Sequence, residues 1–205
     1  MSLDAAKWKP VLRLKGLRLG SFALLDNWEG KAGYVWRVAP DTPEEDINRT
    51  DFLRADEVVR FQLKGDYVSV DLPDGLWRIL RMGHTSTGHT NATAGGAKGL
   101  ECDKFSRRAV SKQIDSWFGL FMQRPNHKAI KYMHVDSWEC GSQNWSRNFA
   151  QEFERRRGYD LLPLLPLYAG VPMSGGEEVL RDVRKTINEL VNEVFFVTVA
   201  QKARE

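Results

Sequence analysis

Leu180, Val183, Ile187, Leu190, Val191, Val194 and Phe195 recur every three or four residues near the end of the chain, the period of one apolar helix face. Ser174 and Glu177 precede them in the order of a capping box, which predicts a helix opening at Ser174 and running into the C-terminal residues without a stop signal. A helix with so wide an apolar stripe must lie on another layer.

The segments before it suggest what that layer is. Residues 76–82, Leu-Trp-Arg-Ile-Leu-Arg-Met, follow the turn Pro73-Asp74-Gly75 and read as a strand. Residues 83–105 are rich in Gly, Thr and Asn and read as a long loop, a class that often carries function. Ser106 is placed to open a helix with Val110, Ile114, Trp117, Phe118 and Phe121 on one side, ended by Pro125 and Asn126. Residues 130–135 read as a second strand. Ser146 can cap a third element that carries Phe149, Ala150 and Phe153 and stops at Gly158. Pro163 and Pro166 punctuate a connector.

Strand, helix, strand, helix order predicts an α/β fold with a parallel sheet and crossover helices. Two strands cannot close a barrel, so the expectation is the opening part of a (β/α)8-like barrel, with the remainder of the barrel downstream. Residues 1–75 read as a lead-in of short strands and loops, including a hairpin of 58–61 with 67–70, and residues 76–205 as the incomplete barrel segment.

Composition narrows the functional classes. Apolar residues make up 42% of the 205 and charged residues 28%, a globular balance. The net charge of +3, from 30 basic and 27 acidic side chains, is too small to argue for nucleic acid. No run approaches the ~18 apolar residues of a membrane span. Cys102 and Cys140 could form at most one disulfide and are expected to be free thiols. Potential metal ligands (His84, His89, His134, Glu101, Asp103 and the cysteines) show no zinc spacing. Calcium is less constrained by pattern. No nucleotide or other organic cofactor motif is present, and no G-x-S-x-G elbow.

In parallel α/β folds, functional groups gather beyond the carboxyl ends of strands. Two stretches fall there. The first is Gly83-His84-Thr85-Ser86-Thr87-Gly88, continuing to Gly99-Leu100-Glu101-Cys102-Asp103-Lys104. The second is His134-Val135-Asp136-Ser137-Trp138-Glu139, continuing to Gln143-Asn144-Trp145. Carboxylates beside indole rings suit sugar: rings cover C–H faces, while carboxylates bind hydroxyls or move protons. An indole beside Glu139 also excludes water and favours its protonated form. The competing expectation is structural, with Asp136 capping a turn and Trp138 and Trp145 in the core.

Taken in order, "W-x-x-L-R-x-G-x-T-x-T-G" from Trp77, "G-L-E-x-D-K" from Gly99, "H-x-D-S-W-E" from His134, "Q-N-W" from Gln143 and "R-R-G-Y-D" from Arg156 resemble glycoside hydrolase family 106, the α-L-rhamnosidases. His84 departs from the pattern, which has Tyr or another aromatic there. The resemblance implies a (β/α)8-like catalytic barrel in a much longer protein. It also implies hydrolysis of terminal α-L-rhamnosides with inversion, a rhamnose-containing glycan or glycoside as partner, a calcium ion near the sugar, and a periplasmic or extracellular setting. An inverting enzyme needs two carboxyl groups about 6.5–9.5 Å apart. Glu139 is the candidate catalytic acid. Asp136, Trp138, Trp145, Asn144, Glu101 and Asp103 are the candidate substrate-binding residues, Asp136 and Glu101 also being candidates for calcium. The second catalytic carboxylate is expected beyond residue 205, and this segment alone is expected to be inactive. A sugar-binding protein without catalysis is the alternative.

Overall fold

The computed structural model describes residues 52–61, 70–86, 88, 90, 99–135 and 143–205. Ser106 opens helix α1 (Arg107–Met122), its hydroxyl accepting the Ala109 N–H at 3.3 Å. Helix α2 (Phe149–Arg157) ends at Gly158, whose left-handed backbone (φ 83°) returns its N–H to the Glu154 carbonyl at 2.8 Å. Ser146 does not supply the cap of α2. That position is Asn148, and Ser146 contributes its carbonyl to the Phe149 N–H.

The proline-marked connector is a 3-10 helix, Leu162–Ala169, with Pro166 inside it. A 3-10 helix superposes every third residue. Leu161, Leu164 and Leu167 therefore share one face, and all three are buried. The C-terminal helix follows as α3 (Gly176–Leu190), a π-helical stretch (Val191–Phe196) and α4 (Val197–Lys202). The Arg107 guanidinium donates to the Glu193 carbonyl at 2.8 Å and Asn192 Nδ2 to the Asn188 carbonyl at 2.8 Å. These side chains serve carbonyls in and just before a stretch where the i→i−4 ladder is interrupted.

The Ser174–Glu177 capping box does not form. Gly175, left-handed at φ 72°, occupies the cap, and no side chain caps the helix. Ser174 is committed elsewhere. Its N–H bonds the Leu53 carbonyl at 3.0 Å while Leu53 N–H bonds the Pro172 carbonyl at 3.0 Å, an isolated parallel bridge between Leu53 and Met173. This contact ties the lead-in to the connector, and Leu53 and Val58 pack on the core.

The core lies between α2, the 3-10 helix and α3. Phe149, Phe153, Leu161, Leu167, Leu180 and Val183 are inaccessible to solvent. Phe105 and Trp145 flank the Phe149 ring at 5.8 and 5.2 Å, and Tyr159 meets Phe153 edge-on at 5.0 Å, a favoured aromatic geometry. Tyr168 is in the same cluster. Among the described residues its hydroxyl is buried without a hydrogen-bond partner, and burial pushes its phenol pKa up. An unsatisfied buried hydroxyl costs about 1–3 kcal/mol. Tyr168→Phe is therefore expected to leave stability unchanged or raise it by about 1 kcal/mol in denaturant melts. A clear loss of stability would show that the hydroxyl is satisfied in solution.

The R-R-G-Y-D motif is a brace between α2 and the C-terminal helix. Arg156 pairs with Glu152, Glu189 and Glu193, and Arg157 with Glu189 and the Thr186 hydroxyl. Tyr159 donates to Asp182 at 2.8 Å, and Asp160 accepts from the Leu162 N–H and pairs with Arg60. The Arg157 hydrogen bond holds the Glu189 carboxyl below the ordinary glutamate range, and Arg156 does the same for Glu193. Carboxyls with lowered folded-state pKa stabilise the fold above their unfolded value and lose that contribution as pH falls. The stability advantage over Arg156→Gln is thus expected in full at neutral pH and to shrink below the reference value of 4.5. Acid titrations of both proteins check this; a gap that persists undiminished in acid would mean the carboxylates contribute nothing through their charge.

The expected strands are not present among the described residues, which hold two isolated bridges, Leu53 with Met173 and Thr90 with Leu100, but no sheet. Residues 76–82 and 130–135 carry no regular structure. Leu76 is 94% exposed and Tyr132 91%. A strand is defined by hydrogen bonds to a neighbour, and no described segment lies beside either run as a ladder. Residues 62–69, which hold most of the second strand of the expected hairpin, lie outside the described residues. The described part is therefore helical. The α1 stripe is likewise buried at Val110 but open at Trp117, 61% exposed, and Phe121. No described helix is long and apolar enough to cross a membrane.

Candidate active site

Both functional stretches reach the same side of the core. The antiparallel bridge between Thr90 and Leu100 closes the first into a loop. Within it, Asp103 Oδ1 accepts the Phe105 N–H at 3.0 Å, and the Asp103 carbonyl accepts the Ser106 N–H at 3.1 Å. This turn delivers the chain into α1. Lys104 is buried. Its Nζ pairs with Glu101 and lies 4.8 Å from the centre of the Phe195 ring, on the π-helical stretch. Such a cation over a ring is attractive and gains strength when shielded from water.

The second stretch enters the described structure at Gln143. That side chain is buried and spans the first stretch. Oε1 accepts the Lys104 N–H at 3.1 Å and Nε2 donates to Asp103 Oδ1 at 2.6 Å. Asn144 follows with no exposed surface. Trp145 is 8% exposed, with its ring against Phe149 and edge-on to Tyr168 at 6.1 Å.

Asp136, Trp138 and Glu139, with Cys140, lie outside the described residues. Glu101, Asp103, Asn144 and Trp145 are brought together, but in protein-facing roles. Glu101 neutralises Lys104, Asp103 accepts two N–H groups, and Trp145 presents its ring to core aromatics instead of to a ligand. The structural expectation for Trp145 matches this placement: an indole sequestered among Phe149 and Tyr168 has no open face for a sugar. Gln143 and Lys104, absent from the candidate list, organise the cluster. The signal that could have found Gln143 was its place in the Q-N-W triplet. A polar residue between a loop and an aromatic helix start satisfies buried backbone groups.

Among the described residues no group of three His, Cys, Asp or Glu side chains is placed to hold a metal ion. Glu101 and Asp103 already have cationic or N–H partners. The described cluster therefore does not fit calcium.

Comparison with known families decides the chain's relationship. The glycoside hydrolase 106 model, described as alpha-L-rhamnosidase, matches residues 4–205. The chain belongs to that family. Among solved structures, it resembles a rhamnosidase from Novosphingobium sp. PP1Y with 32% identity and a TM-score of 0.54, over 57% of this chain and 12% of that one. A protein of Formosa agariphila, provisionally named a beta-glucuronidase, is 36% identical over 132 residues, 61% of this chain and 11% of the relative. The chain thus spans about a tenth of the length of each. The family resemblance carried by the five sequence segments is confirmed, and this glycoside hydrolase chain corresponds to one portion of a much longer enzyme fold.

Proposed function

We propose that this family 106 chain is a segment of the catalytic domain of a glycosidase that cleaves terminal α-L-rhamnosides with inversion. The observation that carries the reading is the family match across residues 4–205. Glu139 serves as the general acid, protonating the departing glycosidic oxygen. The neighbouring Trp138 excludes water, which favours the protonated carboxyl at neutral pH. Trp138 also covers an apolar face of the sugar, and Asp136 binds its hydroxyls. Glu101, Asp103, Asn144 and Trp145 support these residues from behind. The base that activates water belongs to a part of the barrel outside this chain, as does the sheet that residues 76–82 and 130–135 would join. Calcium takes no part in the steps assigned here.

The test is hydrolysis of an aryl α-L-rhamnoside by the full-length protein, with the first-formed anomer followed by NMR. Release of β-L-rhamnose supports inversion, and release of the α-anomer rejects it. Residues 1–205 alone are expected to be inactive in the same assay. The name of the Formosa agariphila relative supports a second substrate. Turnover of an aryl β-D-glucuronide without turnover of the rhamnoside would replace rhamnose with a uronic acid and leave the glycosidase reading standing. Sugar binding without hydrolysis of either would favour a non-catalytic module.

A further inference from the structure

Gln143 connects two stretches that are 39 and 40 residues apart in sequence through one side chain. A primary amide is suited to this place because it must accept from a backbone N–H and donate to a carboxylate at once. Neither partner is loose. Asp103 is fixed by its bonds to the Phe105 and Ser106 N–H groups at the start of α1. Lys104 is fixed by Glu101 and by the Phe195 ring. The π-helical stretch that carries Phe195 is in turn bonded to α1 by Arg107 through the Glu193 carbonyl. Gln143 is thus attached to a frame set by two helices. Four residues separate it from Glu139, so chain geometry keeps the two Cα atoms within about 14 Å.

We propose that Gln143 is a positioning residue: its two-ended clamp on Asp103 and Lys104 fixes the downstream anchor of the stretch bearing Glu139, and through it the placement of that carboxyl. This rests on the assignment of Glu139 as catalytic. Misplacing a catalytic group by about 1 Å can cost about 10²-fold in rate. Gln143→Glu keeps the shape but removes the donor and sets a second carboxylate against Asp103. Adding Asp103→Asn restores a donor and removes the repulsion, because the new amide can donate to the new carboxylate.

The experiment uses the full-length protein and an aryl α-L-rhamnoside, measuring kcat, KM, the pH profile of kcat and the melting temperature. Gln143→Glu is expected to lower kcat by about 10–100-fold, with KM little changed and the alkaline limb of the profile displaced. The Gln143→Glu/Asp103→Asn pair is expected to recover most of the rate and return the limb. A lower melting temperature with kcat and the alkaline limb unchanged would reduce the clamp to a purely structural role and overturn the proposal. Should Gln143→Glu fail to fold, Gln143→Asn, one methylene shorter, carries the same two outcomes. Glu139→Gln is measured beside them. Full turnover there removes the catalytic assignment and this inference with it. Lost turnover there, with unaltered kcat and pH limb in the Gln143 variants, removes this inference alone.

Discussion

Glu139→Gln in the full-length protein is expected to lower kcat on a natural rhamnoside by about 10²–10⁴-fold, the range a positioned general acid contributes. The substitution keeps the size of the side chain and removes its transferable proton. The loss should depend on the leaving group. A natural alkoxide departs only with a proton, whereas an activated phenolate departs with little help. The deficit should therefore shrink on a nitrophenyl rhamnoside. An equal deficit on both substrates would transfer Glu139 to the base role, since water activation is needed whatever departs. Near-normal turnover on both would exclude it from the chemistry. The melting curve should stay in place.

Phe149→Ala should have the largest effect on stability. Its ring has no exposed surface and lies between Phe105 and Trp145. Removing a buried phenyl group costs about 3–5 kcal/mol through lost transfer energy and the cavity left behind. A typical domain has about 5–15 kcal/mol in total, so the variant should lose a large share of its folded population on warming. The damage should also reach the site, because Trp145 and Phe105 adjoin Gln143 and Lys104 in the chain. Arg181→Ala serves as the control. Its pair with Glu178 is exposed on both sides, and the loss should stay within about 0.5 kcal/mol. Equal losses in the two variants, measured by urea denaturation, would contradict the placement of the core.

The ordered segments that identify the family were legible without a structure, and the comparison over residues 4–205 agrees with them. Their roles were less legible. R-R-G-Y-D reads as a charged helix end, yet Arg156, Arg157, Tyr159 and Asp160 each find a partner far along the chain or at the next turn. Trp145 beside polar residues reads equally as a sugar platform or as core, and its neighbours Phe149 and Tyr168 decide for the core. The stretch holding Asp136, Trp138 and Glu139 lies outside the described residues, so its assignment rests on sequence and family alone.

The sequence by itself determined the features that depend on near neighbours. Ser106 capping α1, the turn at Gly158, and the amphipathic run from Leu180 to Phe195 follow from hydrogen bonds and side-chain spacings within a few residues. Tertiary structure decided whatever needed a distant partner. Ser174 was drawn from its cap into pairing with Leu53, and Gln143 was matched to Asp103 and Lys104. Residues 76–82 and 130–135 have strand composition but no described ladder partner. The physical reason is the same in each case. A helix satisfies most of its backbone locally, whereas a strand, a buried amide or a loop carboxylate is satisfied by groups whose arrival depends on the folding of the rest of the chain.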